Sequence, residues 1–339
     1  MKKALMTILG CIVLLSAQEA PIGSPAKMSR KEAKALEALK GTIKGKIVWS
    51  TSRVNSRHDI WIMNADGTDK KALTKSDNVD WFPRISPDGK RVLFSRSKSG
   101  WVPETDAKFY DKWDLWIIGI DGEDEKKVVE NACWGTWRPD GKSIVFARGG
   151  KVFLHNMESG EETLLFDGET SIKEGTIVQQ PGLSPDGKYL AATLRGSSRE
   201  TGIWHLEKKE WYKTGGGCQI DWFPTSDEIY RMNPTGNGGT AAPSEVLAQK
   251  LNDGRPVEKI TRIKNFRLMD LPGRRSHEYF PRFDKNGEWM VWCATDKGHD
   301  HDIYDYEVYI WKRGTKVKEA VRLTFHTAND RWPDIYIEK

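Results

Sequence analysis

The sequence predicts an all-β fold of repeated four-stranded antiparallel units, and three observations predict it. First, a Pro-Asp-Gly-Lys turn leading into an apolar run recurs along the chain. It reads Ser86-Pro-Asp-Gly-Lys-Arg-Val-Leu-Phe-Ser, Arg138-Pro-Asp-Gly-Lys-Ser-Ile-Val-Phe-Ala and Ser184-Pro-Asp-Gly-Lys-Tyr-Leu-Ala-Ala-Thr, with a looser echo at Asp284-Lys-Asn-Gly-Glu-Trp-Met-Val-Trp-Cys. Asp-Gly and Asn-Gly supply the positive φ that tight hairpins need. Second, other short apolar segments keep a regular place around each turn. Third, 339 residues hold 15 Trp against 11 Phe, with 31 Gly and 15 Pro, at a mean hydropathy of -0.62. Many short strands joined by polar turns have that profile, and helical proteins do not.

Each unit can be read strand by strand. An apolar segment precedes the turn, as in Trp81–Ile85 and Tyr279–Phe283. The strand after the turn is followed by a third, as in Asp59–Met63, Asp114–Ile118 and Glu307–Trp311. A fourth closes the unit at Lys71–Thr74, Lys127–Val129, Thr163–Leu165, Lys259–Thr261 or Val321–Thr324. Four strands recurring at roughly 40–50 residues mark the blades of a β-propeller, and six blades are expected. The first blade lacks an innermost strand before Lys46, whereas Arg331–Ile337 reads as an innermost strand with no blade after it. The expected outcome is a ring closed by the C-terminal strand in blade 1, which removes an exposed sheet edge.

The N-terminus has a different character. A basic Met1-Lys2-Lys3 start and an apolar run from Ala4 to Ala17 predict a secretory signal over 1–17, cleaved after Ala17. Cys11, in Ile8-Leu9-Gly10-Cys11, also resembles a lipoprotein cleavage box. No other apolar run is long enough to span a bilayer. The expected location is therefore outside the cytoplasm, periplasmic or extracellular. Residues 18–44 form a leader in which Ser29 is a candidate N-cap for a short helix carrying Leu36 and Leu39 on one face. The propeller takes residues 45–339. Cys133, Cys218 and Cys293 remain after the signal, with no CxxC, so neither a disulfide framework nor a zinc ribbon is expected. The net charge of +5, from 53 basic and 48 acidic residues, excludes a polybasic nucleic-acid binder.

The blade text also carries a resemblance. Residues 59–74, DIWIMNADGTDKKALT, followed by 80–96, DWFPRISPDGKRVLFSR, resemble the repeat of TolB-type six-bladed propellers. The resemblance covers about residues 45–339, and nothing matches that family's N-terminal α/β module. It implies a lone propeller that binds a protein segment through one face or the central channel.

Propeller topology sorts the loops by end. Pro-Asp-Gly turns lie at one end, here the turn end, where their role is hairpin chemistry. The second-to-third-strand loops rise at the other. Three are long: Lys98–Trp113, with Trp101, Phe109 and Tyr110; Asn233–Ser244, rich in Gly and Thr; and Thr295–Tyr306, reading Thr-Asp-Lys-Gly-His-Asp-His-Asp-Ile-Tyr-Asp-Tyr. Long loops on a rigid scaffold are where binding concentrates. His58, His277, His299, His301 and His326 project to this insertion end near blades 6 and 1, whereas His155 and His205 fall in third strands. With Asp300, Asp302, Asp305, Glu278 and Asp330 in the same sector, His277, His299, His301 and His326 are candidate ligands for a divalent metal ion. A solvated polar loop is the competing reading.

Aligning the inner strands on the turn gives Arg84, Thr136, Gly182, Asp221, Arg282 and Asp334 one equivalent position. Strand alternation then puts Asp80 and Glu278, four residues earlier, on the same side near the other mouth, with Asp330 beside them. Arg84, Asp80, Asp221, Glu278, Arg282, Asp330 and Asp334 are thus the candidate ligand-binding residues, Arg reading a peptide terminus or an anionic sugar as a bidentate fork. No phosphate loop, GxSxG elbow or HExxH is present. The expected function is a non-catalytic scaffold for a protein, peptide segment or other ligand. The alternative is a metal-assisted polysaccharide lyase acting on an acidic carbohydrate, since some propeller lyases resemble this repeat. His277 or His326 would then bind metal or act as base, Tyr304 or Tyr306 as proton donor, and Arg84, Arg274 or Arg282 would neutralise a uronate.

Overall fold

The computed structural model describes residues 23–338 apart from 55–56, 105–107, 236–242, 253–259, 274, 297 and 299. The expected signal segment, with Cys11 and Ala17, lies outside the described residues, as do His299 and Arg274.

Helix α1 spans Arg30–Leu39. The Ser29 Oγ accepts from the Glu32 amide and the Glu32 carboxylate from the Ser29 amide, a reciprocal capping box. Leu39 is buried and Leu36 packs on the same apolar cluster. Glu32 faces Arg322 at 3.4 Å, which ties the helix to the sheet edge.

Strands β1 (Gly45–Thr51), β2 (Asp59–Asn64) and β3 (Lys71–Ala72) begin the first sheet. The second holds β4 (Asp80–Ile85), β5 (Arg91–Ser97), β6 (Trp113–Gly119) and β7 (Lys126–Val129). The third holds β8 (Cys133–Trp137), β9 (Ser143–Arg148), β10 (Lys151–Asn156) and β11 (Glu162–Asp167). After the short helix α2 (Gly168–Ser171), β12 (Thr176–Leu183), β13 (Tyr189–Gly196), β14 (Glu200–His205) and β15 (Glu210–Gly215) make the fourth. Next come β16 (Cys218–Trp222), β17 (Glu228–Pro234), β18 (Ser244–Leu251) and β19 (Ile263–Met269). Then follow β20 (His277–Phe283), β21 (Trp289–Thr295), β22 (Glu307–Lys312), β23 (Val321–Arg322) and the last strand, β24 (Asp330–Ile337). Strand β24 pairs antiparallel with β1, from Gly45↔Ile337 to Thr51↔Asp330.

The result is a propeller of four-stranded antiparallel sheets. It departs from six separate blades. Four sheets stand alone, but β16–β19 and β20–β23 form one eight-stranded sheet. A single parallel bridge, Ser244↔His277, joins the two halves. The Ser244 hydroxyl donates to the Glu278 carbonyl at 2.6 Å and holds the start of β18 beside β20. The outer strand of this region also differs from expectation. It lies at Ile263–Met269 rather than Lys259–Thr261, and Lys259 falls outside the described residues. Asn252 accepts from the Thr261 and Arg262 amides, and β19 pairs with β18 from Leu251↔Ile263.

The repeated turns form as their chemistry demands. Gly89 sits at φ +73° and Gly287, in the looser echo, at +69°, values that side chains with a Cβ disfavour. Trp49, Trp81, Trp113, Trp292 and Trp332 are all fully buried between sheets. The high Trp content therefore fills the wedge between twisted blades. Cys133, Cys218 and Cys293 are buried free thiols; burial pushes Cys133 and Cys218 up to about 12, so they pack as small apolar groups.

Candidate functional site

The innermost strands share an irregularity. Phe82 in β4, Trp134 in β8, Gln180 in β12, Gln219 in β16, Phe280 in β20 and Trp332 in β24 all have left-handed backbones, with φ between 54° and 60°. Each lies at a β-bulge where pairing with the next strand slips, as between Trp81↔Ser95 and Arg84↔Leu93. Left-handed backbone costs a non-Gly residue roughly 1–2 kcal/mol, and such strain persists only where the surroundings over-determine it. Here the surroundings are one another. Phe82 stacks on Trp134 and Phe280 on Trp332, each pair with centroids 3.7 Å apart, while Phe82–Trp332 (4.3 Å) and Trp134–Trp332 (5.3 Å) close the cluster across the axis. Gln180 and Gln219 complete the layer on the remaining side.

This layer separates two cavities. The one at the insertion end encloses about 780 Å³ and is lined by Gln179, Gln180, Gln219, Arg195, Cys218 and residues of two insertions. The one at the turn end encloses about 630 Å³. Between them Gln180, Gln219, Phe280 and Trp332 leave only about 20 Å³.

Two of the long insertions meet over the first cavity. His301 Nδ1 lies 2.6 Å from Glu104 Oε2, and the Glu104 amide donates to Asp302 at 3.2 Å. Beneath them Arg331, fully buried, donates to the His301 carbonyl and to Asp302 Oδ1 at 3.1 Å, and its guanidinium lies 4.4 Å from the Trp81 ring centre. The clasp thus joins the β5–β6 loop to the β21–β22 loop across the first sheet. Lys108, Asp300 and Tyr304 line the same cavity.

At the turn end, all six equivalent positions converge: Arg84, Thr136, Gly182, Asp221, Arg282 and Asp334 line one cavity. Arg282 pairs with Asp221, which also accepts from the Tyr230 hydroxyl at 3.1 Å. Asp334 accepts from the Ile85 amide at 2.7 Å. Burial and the neighbouring Arg84 charge pull Arg282 down to about 9, and burial lowers Arg84 as well.

Asp80, Glu278 and Asp330 do not join them, a correction to the alternation argument. The bulge inserts one residue between Asp80 and Arg84, so the two face opposite sides of the sheet: Asp80 pairs with Arg96, Arg84 with Leu93. Asp80 is fully buried under a bidentate contact from Arg96 at 2.7 and 2.8 Å. Asp330, equally buried, accepts from Arg53 at 2.6 Å, from the Trp49 indole at 3.2 Å and from Thr51. Glu278 accepts from the Leu271 amide at 2.5 Å, and burial pushes its carboxyl up to about 8. All three serve the sheets rather than a mouth.

The histidines are dispersed. His277 opens β20 and is buried; His301 belongs to the clasp; His326 Nδ1 accepts from the Ala328 amide at 3.2 Å. His58 is buried against Trp81 and Trp101, 3.1 Å from the Ser50 hydroxyl. Among the described residues no three His, Cys, Asp or Glu side chains come together to hold a metal ion. The groups named for a lyase are also apart. Tyr304 lines the insertion-end cavity, Tyr306 is fully buried, and Arg84 and Arg282 lie beyond the aromatic layer.

Sequence reasoning missed Gln179, Gln180, Gln219, Arg195 and Glu104. The signal for the layer was an X-Pro pair inside an inner strand, at Phe82-Pro83, Gln180-Pro181, Phe280-Pro281 and Trp332-Pro333. Proline has no amide to lose at an unpaired bulge position, so its recurrence there marks the bulge.

No protein-family model matches the chain. An uncharacterized protein of Agrobacterium fabrum (strain C58), Atu1656, is 27% identical over 149 residues, which are 39% of this chain and 46% of that protein. The chain thus spans less than half the length of that curated relative. Among solved structures, TolB from Acinetobacter baumannii superposes with a TM-score of 0.58 at 15% identity, over 89% of this chain and 69% of that one. A putative TolB from Agrobacterium tumefaciens gives 0.54 at 14%, over 86% and 99%. A chain of the nidogen/laminin complex gives 0.52 at 12%, over 86% and 98%. These likenesses concern the fold, and on that level the chain is a β-propeller of the kind seen in TolB.

Proposed function

We propose that the chain is an exported, six-bladed propeller, closed into a ring by β24, that serves as a binding scaffold rather than an enzyme. The six-blade reading is supported by the same bulge recurring in β4, β8, β12, β16, β20 and β24. Export rests on the N-terminal sequence; among the described residues no helix is long and apolar enough to cross a membrane. The observation that carries the binding role is the clasp of Glu104 with His301 and Asp302, which walls a polar cavity of about 780 Å³. The cavity mixes cationic, anionic and amide groups, which suits recognition of a protein or peptide segment. Arg84, Asp221, Arg282 and Asp334 form a second binding site at the other end of the axis.

The test immobilises the chain from Gln18 onward beside a Lys108→Ala/Asp300→Ala/Tyr304→Ala variant and exposes both to cell-envelope extract. A protein retained by the wild type and released by the variant supports the scaffold. Acidic oligosaccharide retained in its place favours the carbohydrate alternative. Equal retention on both removes the assignment of this cavity.

A further inference from the structure

The turn-end cavity holds a charge that its own residues leave incompletely satisfied. Arg84 is 8% exposed. Its guanidinium makes one hydrogen bond, to the adjacent Pro83 carbonyl at 2.7 Å, and its Nε is buried with no partner. No carboxylate comes within ion-pair distance of it: Asp221 pairs with Arg282 and Tyr230, and Asp334, which accepts from the Ile85 amide, acts on Arg84 only through its charge from farther away. A buried guanidinium left this way costs several kcal/mol unless something pairs with it. Arg282 stands close enough for the two positive charges to repel, so the pair forms a two-pronged anion receptor.

The lining narrows the ligand class. Arg84, Arg282 and Lys285 carry positive charge into this cavity among Asp221, Asp284 and Asp334, and the two guanidiniums present planar forks of the shape that reads a carboxylate. The outer wall is apolar, made of Pro87, Pro139, Pro185, Pro224, Trp137 and Tyr336. A small inorganic oxyanion would leave that wall unused. We infer that this cavity binds an organic monocarboxylate, its head on Arg84 and Arg282 and an apolar body against the proline and aromatic wall. The inference rests on reading this cavity as a binding site, and it is independent of the partner site at the insertion end.

The probe is benzoate, titrated calorimetrically into the full chain, with benzamide and inorganic phosphate as comparisons. The expected result is a benzoate Kd on the order of 1 mM, weakened about tenfold or more in Arg84→Gln and only partly restored in Arg84→Lys, which keeps the charge but loses the planar fork. Without ligand, Arg84→Gln should melt at or above the wild-type temperature, because it removes a buried charge that no carboxylate bonds directly. A structural arginine would show the opposite. Benzoate binding unchanged in Arg84→Gln, or an Arg84→Gln variant that melts lower, overturns the inference. Phosphate or benzamide binding as tightly as benzoate refutes the ligand class and leaves the cavity a binding site. Binding of none of the three removes the site itself.

Discussion

Arg96→Met tests whether Asp80 belongs to the sheet or to a ligand site. Asp80 is fully buried and Arg96 holds both of its oxygens, at 2.7 and 2.8 Å. Removing one partner of such a pair strands a charge in a low-dielectric interior, at a cost of about 3–5 kcal/mol. Arg96 also lies over the Phe94 and Trp116 rings, at 5.1 and 4.8 Å, contacts worth about 0.5–1 kcal/mol that methionine only partly replaces. Its bond to Glu125 is on a partly exposed carboxylate and adds little. The expected loss near pH 7 is about 4 kcal/mol, a large share of the roughly 5–15 kcal/mol that folded domains possess. Equilibrium urea unfolding would show it as a midpoint lowered by about 1 M or more. The pH dependence has a definite sign. Burial already raises the Asp80 carboxyl from its ordinary range against the pull of Arg96, and without Arg96 it rises further. A group whose folded pKa is raised gives its full stability below the unfolded value of about 3.9 and loses it as pH climbs through the folded value. The deficit should therefore be smaller near about pH 4 than near about pH 7. Asp80→Asn combined with Arg96→Met should recover most of the loss, since no charge remains buried. A deficit equal at both pH values, or a double variant no more stable than the single, refutes the reasoning.

Glu278, pushed up to about 8 by burial, contributes stability below about pH 4.5 that fades as pH rises through 8. Melting curves at about pH 5, 7 and 9 should fall for the wild type and run flatter for Glu278→Gln. His301→Ala breaks the clasp to Glu104, and hydrogen exchange should quicken in residues 98–104 and 300–306 while β5 and β21 stay protected. Trp332→Ala removes the residue that touches Phe82, Trp134 and Phe280; urea unfolding should show a loss of about 3–5 kcal/mol, and Trp332→Phe a smaller one.

Much of the fold was legible because local chemistry repeats. A Pro-Asp-Gly turn has few other structures to adopt, and aligning four of them gave the inner-strand register that brings Arg84, Thr136, Gly182, Asp221, Arg282 and Asp334 to one cavity. The same alignment failed four residues upstream. Alternation assumes a regular strand, and the side chains of Phe82 and Trp134 ordinarily avoid a left-handed backbone; the following proline marks the bulge at Phe82, and no such mark stands at Trp134. The strain is held by aromatic contacts between strands far apart in sequence, so it belongs to tertiary structure. For the same reason Asp80 and Asp330 looked like mouth residues until Arg96 and Arg53 were seen beside them. The clasp was half legible: loop length and histidine content pointed to the β21–β22 insertion, but Glu104 lies in another insertion, and no local pattern links the two.

The pairing of β24 with β1 has a consequence in time. During synthesis β1 emerges early, yet its neighbour on one side, β24, is made only after β2–β23. Until then its backbone donors and acceptors on that side stay open, in a segment with Ile47, Val48 and Trp49 that offers a ready template for another chain. A ribosome-stalled or clipped product lacking residues 330–337 would carry that open edge permanently. Quality control of this protein therefore turns on residues 330–337, which convert a sticky intermediate into a finished molecule.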